Sequence, residues 1–151
     1  MDGFDRKILS LLQQDGRLTN NEIAEKIHLS ASQCSRRRTQ LEKSGLIKSY
    51  HALVDRDKAG CSLVSIVSVT LSTHNPDNAN LFASLVKDLP NVLEAHALTG
   101  EMDYLVKIIT PDLKSLSEFI NEQLLPHAAV QNVKTSIVLE TLKETTALPI
   151  G

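Results

Sequence analysis

The sequence predicts an α+β fold made of two small domains, and three observations support this prediction. Apolar residues recur at helical spacing through residues 1–45, and an alternation of strands and helices follows residue 61. The charge also changes, since residues 1–60 hold 11 Lys+Arg and 8 Asp+Glu whereas residues 61–151 hold 5 and 10. We predict a first domain at 1–54, a link at 55–61 and a second domain at 62–151.

The first helix is predicted from a stripe of four apolar residues, Phe4, Ile8, Leu11 and Leu12. The stripe stops before Asp15 and Gly16. Because glycine adopts the left-handed conformation that often follows a helix, we expect Gly16 to be left-handed there.

Two more helices follow, each opened by a capping box in which side chains satisfy free amides at the helix start. Thr19 with Glu22 opens the second helix, and Ser30 with Gln33 opens the third. Only a short turn separates them, and His28 is expected to adopt a left-handed conformation in it. This spacing predicts a helix-turn-helix, whose second element enters the major groove of duplex DNA.

The third helix is predicted to expose a polar face without acidic residues. If Cys34 and Leu41 are buried, a rotation of 100° per residue points Arg36 to the solvent. Arginine and glutamine recognise guanine and adenine edges, so we predict that this helix reads duplex DNA. The predicted DNA-binding residues are Ser30, Ser32, Gln33, Ser35, Arg36, Arg37, Arg38, Thr39 and Gln40.

The three consecutive arginines are expected to have different roles. Arg36 is predicted to enter the groove, whereas Arg37 and Arg38 either contact backbone phosphates or pair internally. Arg38 has Glu42 four residues later, which is the spacing of a helical ion pair.

A strand is predicted at 46–54, which is rich in strand-forming residues and gives the first domain a winged-helix character. The second domain then follows the order strand, helix, strand, strand, helix, strand. That order is typical of the ferredoxin-like βαββαβ arrangement, a four-stranded antiparallel sheet with both helices on one face.

The predicted elements of the second domain each have a boundary signal. Leu63 to Leu71 forms a strand, Asn75-Pro76 begins a helix that Pro90 ends, and a hairpin joins strands at 92–98 and 104–109. Thr110-Pro111 is expected to begin the last helix, and 133–142 to form the last strand. The sheet face opposite the helices is expected to be apolar and to be covered by a second copy of the chain.

Several classes of protein are not expected. Cys34 and Cys61 form no disulfide or zinc pattern, and the five histidines form no i, i+4 pair, so we expect no metal and no cofactor. The sequence shows no signal peptide and no membrane span, which favours the cytoplasm. Because the chain has no Trp, two Tyr and three Phe, duplex is favoured over single-stranded nucleic acid.

The sequence resembles the Lrp/AsnC family of feast/famine transcriptional regulators over essentially its whole length. The resemblance rests on three segments in family order: Asp5-Arg6-Lys7-Ile8-Leu9, residues 29–47 around the three arginines, and Leu98 to Leu105 with a Gly-x-x-Asp-Tyr turn. It implies homodimers formed through the second domain, their assembly into octamers, and an amino-acid effector. His28 and Ser32 depart from the common family pattern.

The resemblance also implies where the effector binds, at an interface between dimers. The implied ligand-binding residues are Gly100, Glu101, Met102, Asp103 and Tyr104, with Thr135 and Ser136 opposite them. Glycine permits close approach of the backbone, and a carboxylate can hold an ammonium group. An alternative is that Gly100 only shapes the hairpin and Asp103 only caps it.

Two other functions remain possible at this stage. A small enzyme on a dimeric ferredoxin-like barrel could use Glu94, His96, Glu101 and Asp103 as acids and bases, although they lack the spacing of a catalytic triad. A sensor that regulates another protein without binding DNA would not need the acid-free face of the third helix. We therefore expect no catalytic residues and a DNA-binding regulator.

Overall fold

The computed structural model describes residues 1–150, which divide into two compact units. The first unit contains Met1–Leu53 together with residues 142–150, and the second contains Val54–Thr141. This division differs from the predicted domains in two places. The link at 55–61 belongs to the second unit, and residues 142–150 return to the first.

Three helices build the first unit: α1 at Gly3–Gln14, α2 at Asn20–Ile27 and α3 at Ala31–Lys43. The predicted capping boxes of α2 and α3 are confirmed, since the hydroxyls of Thr19 and Ser30 accept the backbone N–H of Glu22 and Gln33. Asp2 caps α1 in the same way. Side chains therefore satisfy free amides where each helix begins.

The turn between α2 and α3 has the predicted conformation. His28 is left-handed, with φ 59° and ψ 46°, and ends α2. Cys34 and Leu41 of α3 are buried in the core formed with α1 and α2, which is the premise on which the outward direction of Arg36 was predicted. The buried core of this unit consists of Ile8, Leu9, Leu12, Ile23, Ala24, Ile27, Cys34 and Leu41.

Gly16 was predicted to be left-handed, and this prediction was wrong. Asp15, in extended conformation, ends α1, and Gly16 is not among the positive-φ residues. A Cβ at position 16 would lie 3.2 Å from the Tyr50 ring, which is tighter than most Cβ contacts, so a side chain there would push the ring aside by a few tenths of an ångström. The residue makes room for an aromatic side chain that lies 34 positions later in the sequence.

The predicted strand at 46–54 does not form. In the described part of the chain this segment pairs with no strand, and the Leu53 side chain is 98% exposed. Strand-forming residues become a strand only when another backbone satisfies their amides and carbonyls. The segment therefore remains irregular.

The second unit has the predicted ferredoxin-like fold. Its elements are β1 at Leu63–Leu71, α4 at Pro76–Asp88, β2 at Val92–Ala97, β3 at Tyr104–Thr110, α5 at Leu113–Phe119 and β4 at Val130–Ile137. The strands form one antiparallel sheet in the order β2-β3-β1-β4. Side chains of both helices pack with one sheet face in a core centred on Val67, Val69, Phe82 and Phe119.

Two predicted boundaries of this unit were wrong. Thr110 stays in β3, and the carboxylate of Asp112 caps α5, which continues as a π-helix at Ile120–Leu124. The last strand lies earlier than predicted because it ends where β1 begins. The final contact is the Val138 N–H to the Val64 carbonyl, beyond which β1 offers no partner.

The sheet face opposite the helices was expected to be apolar, but it is mixed. Ile66 and Leu105 lie on it, and so do Lys107 and Glu94, which form an ion pair of 3.1 Å. Lys134 of β4 pairs with Ser68 and lies on the same face. These charges come from alternate positions of β2, β3 and β4, whose opposite positions carry the residues that face the helices.

Candidate DNA interface and effector turn

The exposed side of α3 carries four polar side chains with no partner in the described chain. The side chains of Ser35, Arg36, Thr39 and Gln40 are exposed and make no hydrogen bond or ion pair with residues 1–150. Arg36, Thr39 and Gln40 follow Ser35 by one, four and five positions, a spacing that places all four on one face of a helix. We call these four residues the α3 patch. Its donors and acceptors are free for an external partner.

Three predicted DNA-binding residues at the start of α3 are already engaged with one another. Gln33 accepts the Ser30 N–H through Oε1 at 3.1 Å, and the Ser30 hydroxyl lies 3.1 Å from the Ser32 hydroxyl. Gln33 therefore uses its carbonyl oxygen to hold the helix start. Only its amide N–H groups remain available to a ligand.

Arg37 is held by the beginning of α1. Its Nη1 donates to Asp2 Oδ2 at 2.8 Å and to Asp5 Oδ1 at 2.7 Å, and its guanidinium lies over the Phe4 ring. Hydrogen bonds from Arg37 to Asp5 and Asp2 raise the pKa of the guanidinium further. Of the two predicted roles, internal pairing is the one that the structure shows.

Arg38 is also held internally and joins three segments of the unit. Its Nη1 donates to the Leu18 carbonyl at 2.8 Å, and its Nε donates to the Tyr50 hydroxyl at 2.9 Å. The predicted pair with Glu42 forms at 3.3 Å, and Tyr50 donates to the same carboxylate at 2.9 Å. Tyr50 was not predicted to have this role, because neither its spacing nor its neighbours indicate a contact with α3.

These contacts predict a structural effect of Arg37 that Arg36 lacks. We expect Arg37→Ala to lower the melting temperature of the protein by several degrees, because it leaves Asp2 and Asp5 without their cation, while Arg36→Ala leaves it unchanged. Arg37→Met is the matched variant that keeps packing on Phe4 but removes the charge. Equal melting temperatures for Arg37→Ala and Arg36→Ala would contradict this role.

The same ion pair predicts a dependence on pH. The Asp5 N–H and then the Arg37 guanidinium hold the pKa of Asp2 below its usual value. Folding that lowers a carboxyl pKa stabilises the protein above the unfolded pKa, near 4, and this contribution is lost as the pH falls through the folded pKa. The difference in melting temperature between wild type and Arg37→Met should therefore shrink from about pH 7 to about pH 3.

The second candidate site is the hairpin between β2 and β3. Gly100 has φ +123°, a conformation that side chains disfavour, and a Cβ there would contact nothing within 4 Å. The Leu98 N–H donates to the Asp103 carbonyl at 2.8 Å and closes the hairpin. Gly100 is thus required by the backbone conformation, and the space beside it is open.

Asp103 connects the hairpin to the end of β1. Its Oδ2 accepts the Leu71 N–H at 2.7 Å, beside the register irregularity of β1, and its backbone N–H donates to the Val69 carbonyl at 3.1 Å. Oδ1 lies 3.1 Å from Nδ1 of His74 in the loop that follows β1. Both carboxylate oxygens thus have a partner within the chain. His74 was missed because nothing in its sequence position indicates a contact with the hairpin.

The other residues of the hairpin differ in whether their side chains have partners within the chain. The Glu101 side chain is exposed and forms no hydrogen bond or ion pair with the described residues. The Met102 sulfur accepts the Thr70 hydroxyl at 3.5 Å, and the Tyr104 ring packs on Phe82 at 4.6 Å between centroids. Glu101 is therefore the free anionic group of the hairpin.

Thr135 and Ser136 do not lie opposite the hairpin within one chain. They belong to β4, which β1 separates from the hairpin strand β3, so roughly 10 Å of sheet width lies between β3 and β4. Thr135 pairs with Val67 and Ser136 with Ile66. Successive strand residues point to opposite faces, so these two side chains cannot line one surface of the same chain.

The four side chains considered for catalysis are not brought together as a free acid–base set. Glu94 contacts Lys107 and, at 3.4 Å, His96, and these hydrogen bonds lower the pKa of Glu94. Asp103 instead binds Leu71 and His74. A carboxylate that is paired with lysine and held in its ionised form is unsuited to act as a general acid.

Metal-ligating side chains do not cluster among the described residues, and one of the two free thiols is buried. Residues 1–150 contain no cluster of His, Cys, Asp and Glu suited to a metal ion. Cys34 is fully buried, and burial raises the pKa of its thiol.

No helix in residues 1–150 has the length and apolar character that crossing a membrane requires.

The two units match two known domain families. Residues 1–48 match a winged helix-turn-helix DNA-binding domain, and residues 64–148 match the Lrp/AsnC ligand-binding domain. The first match covers the capping boxes and the α3 patch. The second covers the sheet from residue 64 onward and the hairpin with Gly100 and Asp103.

Relatives that match over nearly the full chain are regulators of transcription. The chain is 35% identical to the transcriptional regulator AzlB of Bacillus subtilis over 150 residues, covering 99% of this chain and 96% of AzlB. It is also 35% identical to the leucine-responsive regulatory protein of Escherichia coli K12, covering 99% of this chain and 92% of that protein.

Solved structures show the same fold. A transcriptional regulator of Neisseria meningitidis in complex with L-methionine is 40% identical, has a TM-score of 0.96, and is aligned over 99% of this chain and 97% of the regulator. An AsnC-family transcriptional regulator of Agrobacterium tumefaciens is 31% identical with a TM-score of 0.94, over 99% and 97% of the two chains. Sequence, fold and site geometry agree, and the chain belongs to the Lrp/AsnC family of transcriptional regulators.

Proposed function

We propose that this regulator reads duplex DNA with the α3 patch. The observation that carries this proposal is that the polar side chains of α3 fall into two groups. Arg37 and Arg38 bind other segments of the first unit, whereas the side chains of the α3 patch are exposed and unpaired. The second helix of a helix-turn-helix enters the major groove, where these side chains can bind base edges. Lys43, exposed near the end of the helix, is placed for a phosphate contact.

We also propose that a free amino acid binds at the hairpin and changes the affinity for DNA. The solved regulator of Neisseria meningitidis binds L-methionine and shares this fold at 40% identity. In this chain Glu101 is the anion available for the ammonium group, and the open space at Gly100 admits the ligand close to the backbone. Asp103 and His74 position the hairpin.

The assembly is proposed to be a homodimer that associates further, up to an octamer. Thr135 and Ser136 are too far from the hairpin within one chain, so they can face an effector only from another subunit. The cytoplasm, where DNA and free amino acids occur together, is the proposed compartment.

No catalytic activity is proposed for the chain. Its relatives are regulators of transcription, and Glu94 and Asp103 are engaged in the contacts described above. We expect the amino acid to act as a signal that is bound and released without chemical change.

A gel-shift titration with the promoter region of the chain's own gene tests this function. We expect a specific complex that survives competitor DNA, and an apparent affinity that changes when L-methionine or L-leucine is added. Light scattering of the same samples reports the assembly. Equal binding to random DNA would contradict sequence recognition, an unchanged affinity with every amino acid would contradict the effector, and a monodisperse monomer would contradict the assembly.

A further inference from the structure

Residues 142–150 lie beyond the ferredoxin-like sheet, yet they pack with the DNA-binding unit. The compact second unit ends at Thr141, and the residues that follow group with α1, α2 and α3. They form neither a helix nor a strand. Their place in the first unit therefore depends on particular side-chain contacts rather than on regular backbone pairing.

The first contact is a pair of hydrogen bonds between the side-chain amide of Gln13 on α1 and the backbone of Leu148. Its Oε1 accepts the Leu148 N–H at 2.6 Å, and its Nε2 donates to the Leu148 carbonyl at 3.2 Å. The side-chain amide thus satisfies both backbone groups of one residue, as a neighbouring strand would. The Leu148 side chain itself is exposed, so Gln13 recognises the backbone of this segment.

The second contact is apolar. Ile150 is half-buried and packs against the buried core of α1, α2 and α3. Its backbone N–H donates to the Leu148 carbonyl at 2.8 Å, which places the isoleucine beside the residue that Gln13 holds. A polar anchor and an apolar anchor two residues apart define one docking surface on the first unit.

The chain passes between the two units twice along its sequence. The chain passes from the first unit to the second between Leu53 and Val54, and back between Thr141 and Leu142. The element before the return is β4, which carries Thr135 and Ser136. A shift of β4 on effector binding can therefore act on α1 through a short stretch of chain.

We propose that the surface around Gln13 is a docking site for residues 142–150 of this chain, and that the docked segment transmits the effector response to the DNA-binding unit. The transmission rests on the proposed function, whereas the docking does not. Coupling through a physical link requires two arrangements that the ligand favours unequally. Bound and released segment are the two arrangements here.

The test compares full-length Gln13→Ala with Gln14→Ala. The side chain of Gln14 is exposed and makes no hydrogen bond with residues 1–150, so this variant is the matched control. Ile150→Ser tests the apolar anchor separately. We expect Gln13→Ala and Ile150→Ser to speed hydrogen exchange of the 142–150 amides, whereas Gln14→Ala matches wild type. Equal exchange in Gln13→Ala and Gln14→Ala would overturn the docking.

The second arm measures DNA affinity of the same proteins with and without L-methionine. An effect of about 5-fold or more in wild type should fall below about 2-fold in Gln13→Ala and persist in Gln14→Ala. Faster exchange with an unchanged methionine effect would overturn the transmission while leaving the docking in place. If wild type itself does not respond to any amino acid, the effector proposal and the transmission both fail, and exchange alone still decides the docking.

Discussion

Arg36→Ala should lose about 1–3 kcal/mol of binding free energy on the specific DNA site, roughly 5- to 150-fold in affinity, without loss of protein stability. Arg36 is exposed and has no partner within residues 1–150, so its removal leaves no buried group unsatisfied. A bidentate arginine distinguishes guanine from other bases. We therefore expect the loss to be large on the specific site and small on random DNA, measured by gel shift with thermal unfolding in parallel.

Arg36→Lys is the matched control for this result. Lysine keeps the charge but lacks the planar pair of donors, so it should restore non-specific binding and leave most of the specific loss. If alanine weakens specific and random DNA equally, and lysine restores both, Arg36 contacts a phosphate and does not read a base.

Asp103→Ala should destabilise the second unit by about 1–3 kcal/mol and weaken L-methionine binding together with it. The substitution removes the acceptor of the partly buried Leu71 N–H and releases His74 from the hairpin. The hairpin then loses the contact that ties it to β1. Denaturant unfolding and calorimetry with L-methionine measure the two effects on the same protein.

Two further variants separate positioning from charge recognition. Asp103→Asn keeps an oxygen for Leu71 and an amide that can donate to His74, so we expect it to restore stability and most of the methionine affinity. Glu101→Gln should instead lower methionine affinity with unchanged stability, because Glu101 is exposed and unpaired within the described chain. If Asp103→Asn is stable but binds methionine as poorly as Asp103→Ala, the Asp103 carboxylate itself holds the ammonium group.

Features that depend on neighbouring residues were predictable from the sequence. The capping boxes at Thr19 and Ser30, the left-handed His28 and the order of elements in the second unit all formed as expected. Each is determined within a few residues, by a side chain that reaches a nearby amide or by the periodicity of one element. The outward direction of Arg36 belongs to the same group, since it follows from helix geometry once Cys34 is buried.

The roles that the sequence left open or assigned wrongly depend on contacts distant in sequence. Arg37 pairs with Asp2 and Asp5 across the unit, and Gly16 lies close to the Tyr50 ring, which a Cβ would crowd. Periodicity can show that a side chain faces outward from its own helix. It cannot show that another helix begins opposite that side chain.

By itself the sequence determined the two-unit α+β fold, the helix-turn-helix with its acid-free third helix, and the glycine-containing hairpin. Only the tertiary structure decided which arginines remain free for DNA, which hairpin carboxylate is already occupied, and that residues 142–150 return to α1. The physical reason is the range of the interactions. Local hydrogen bonds and periodic burial are encoded in short segments, whereas an ion pair or a docked segment exists only when the fold brings distant residues within about 3 Å.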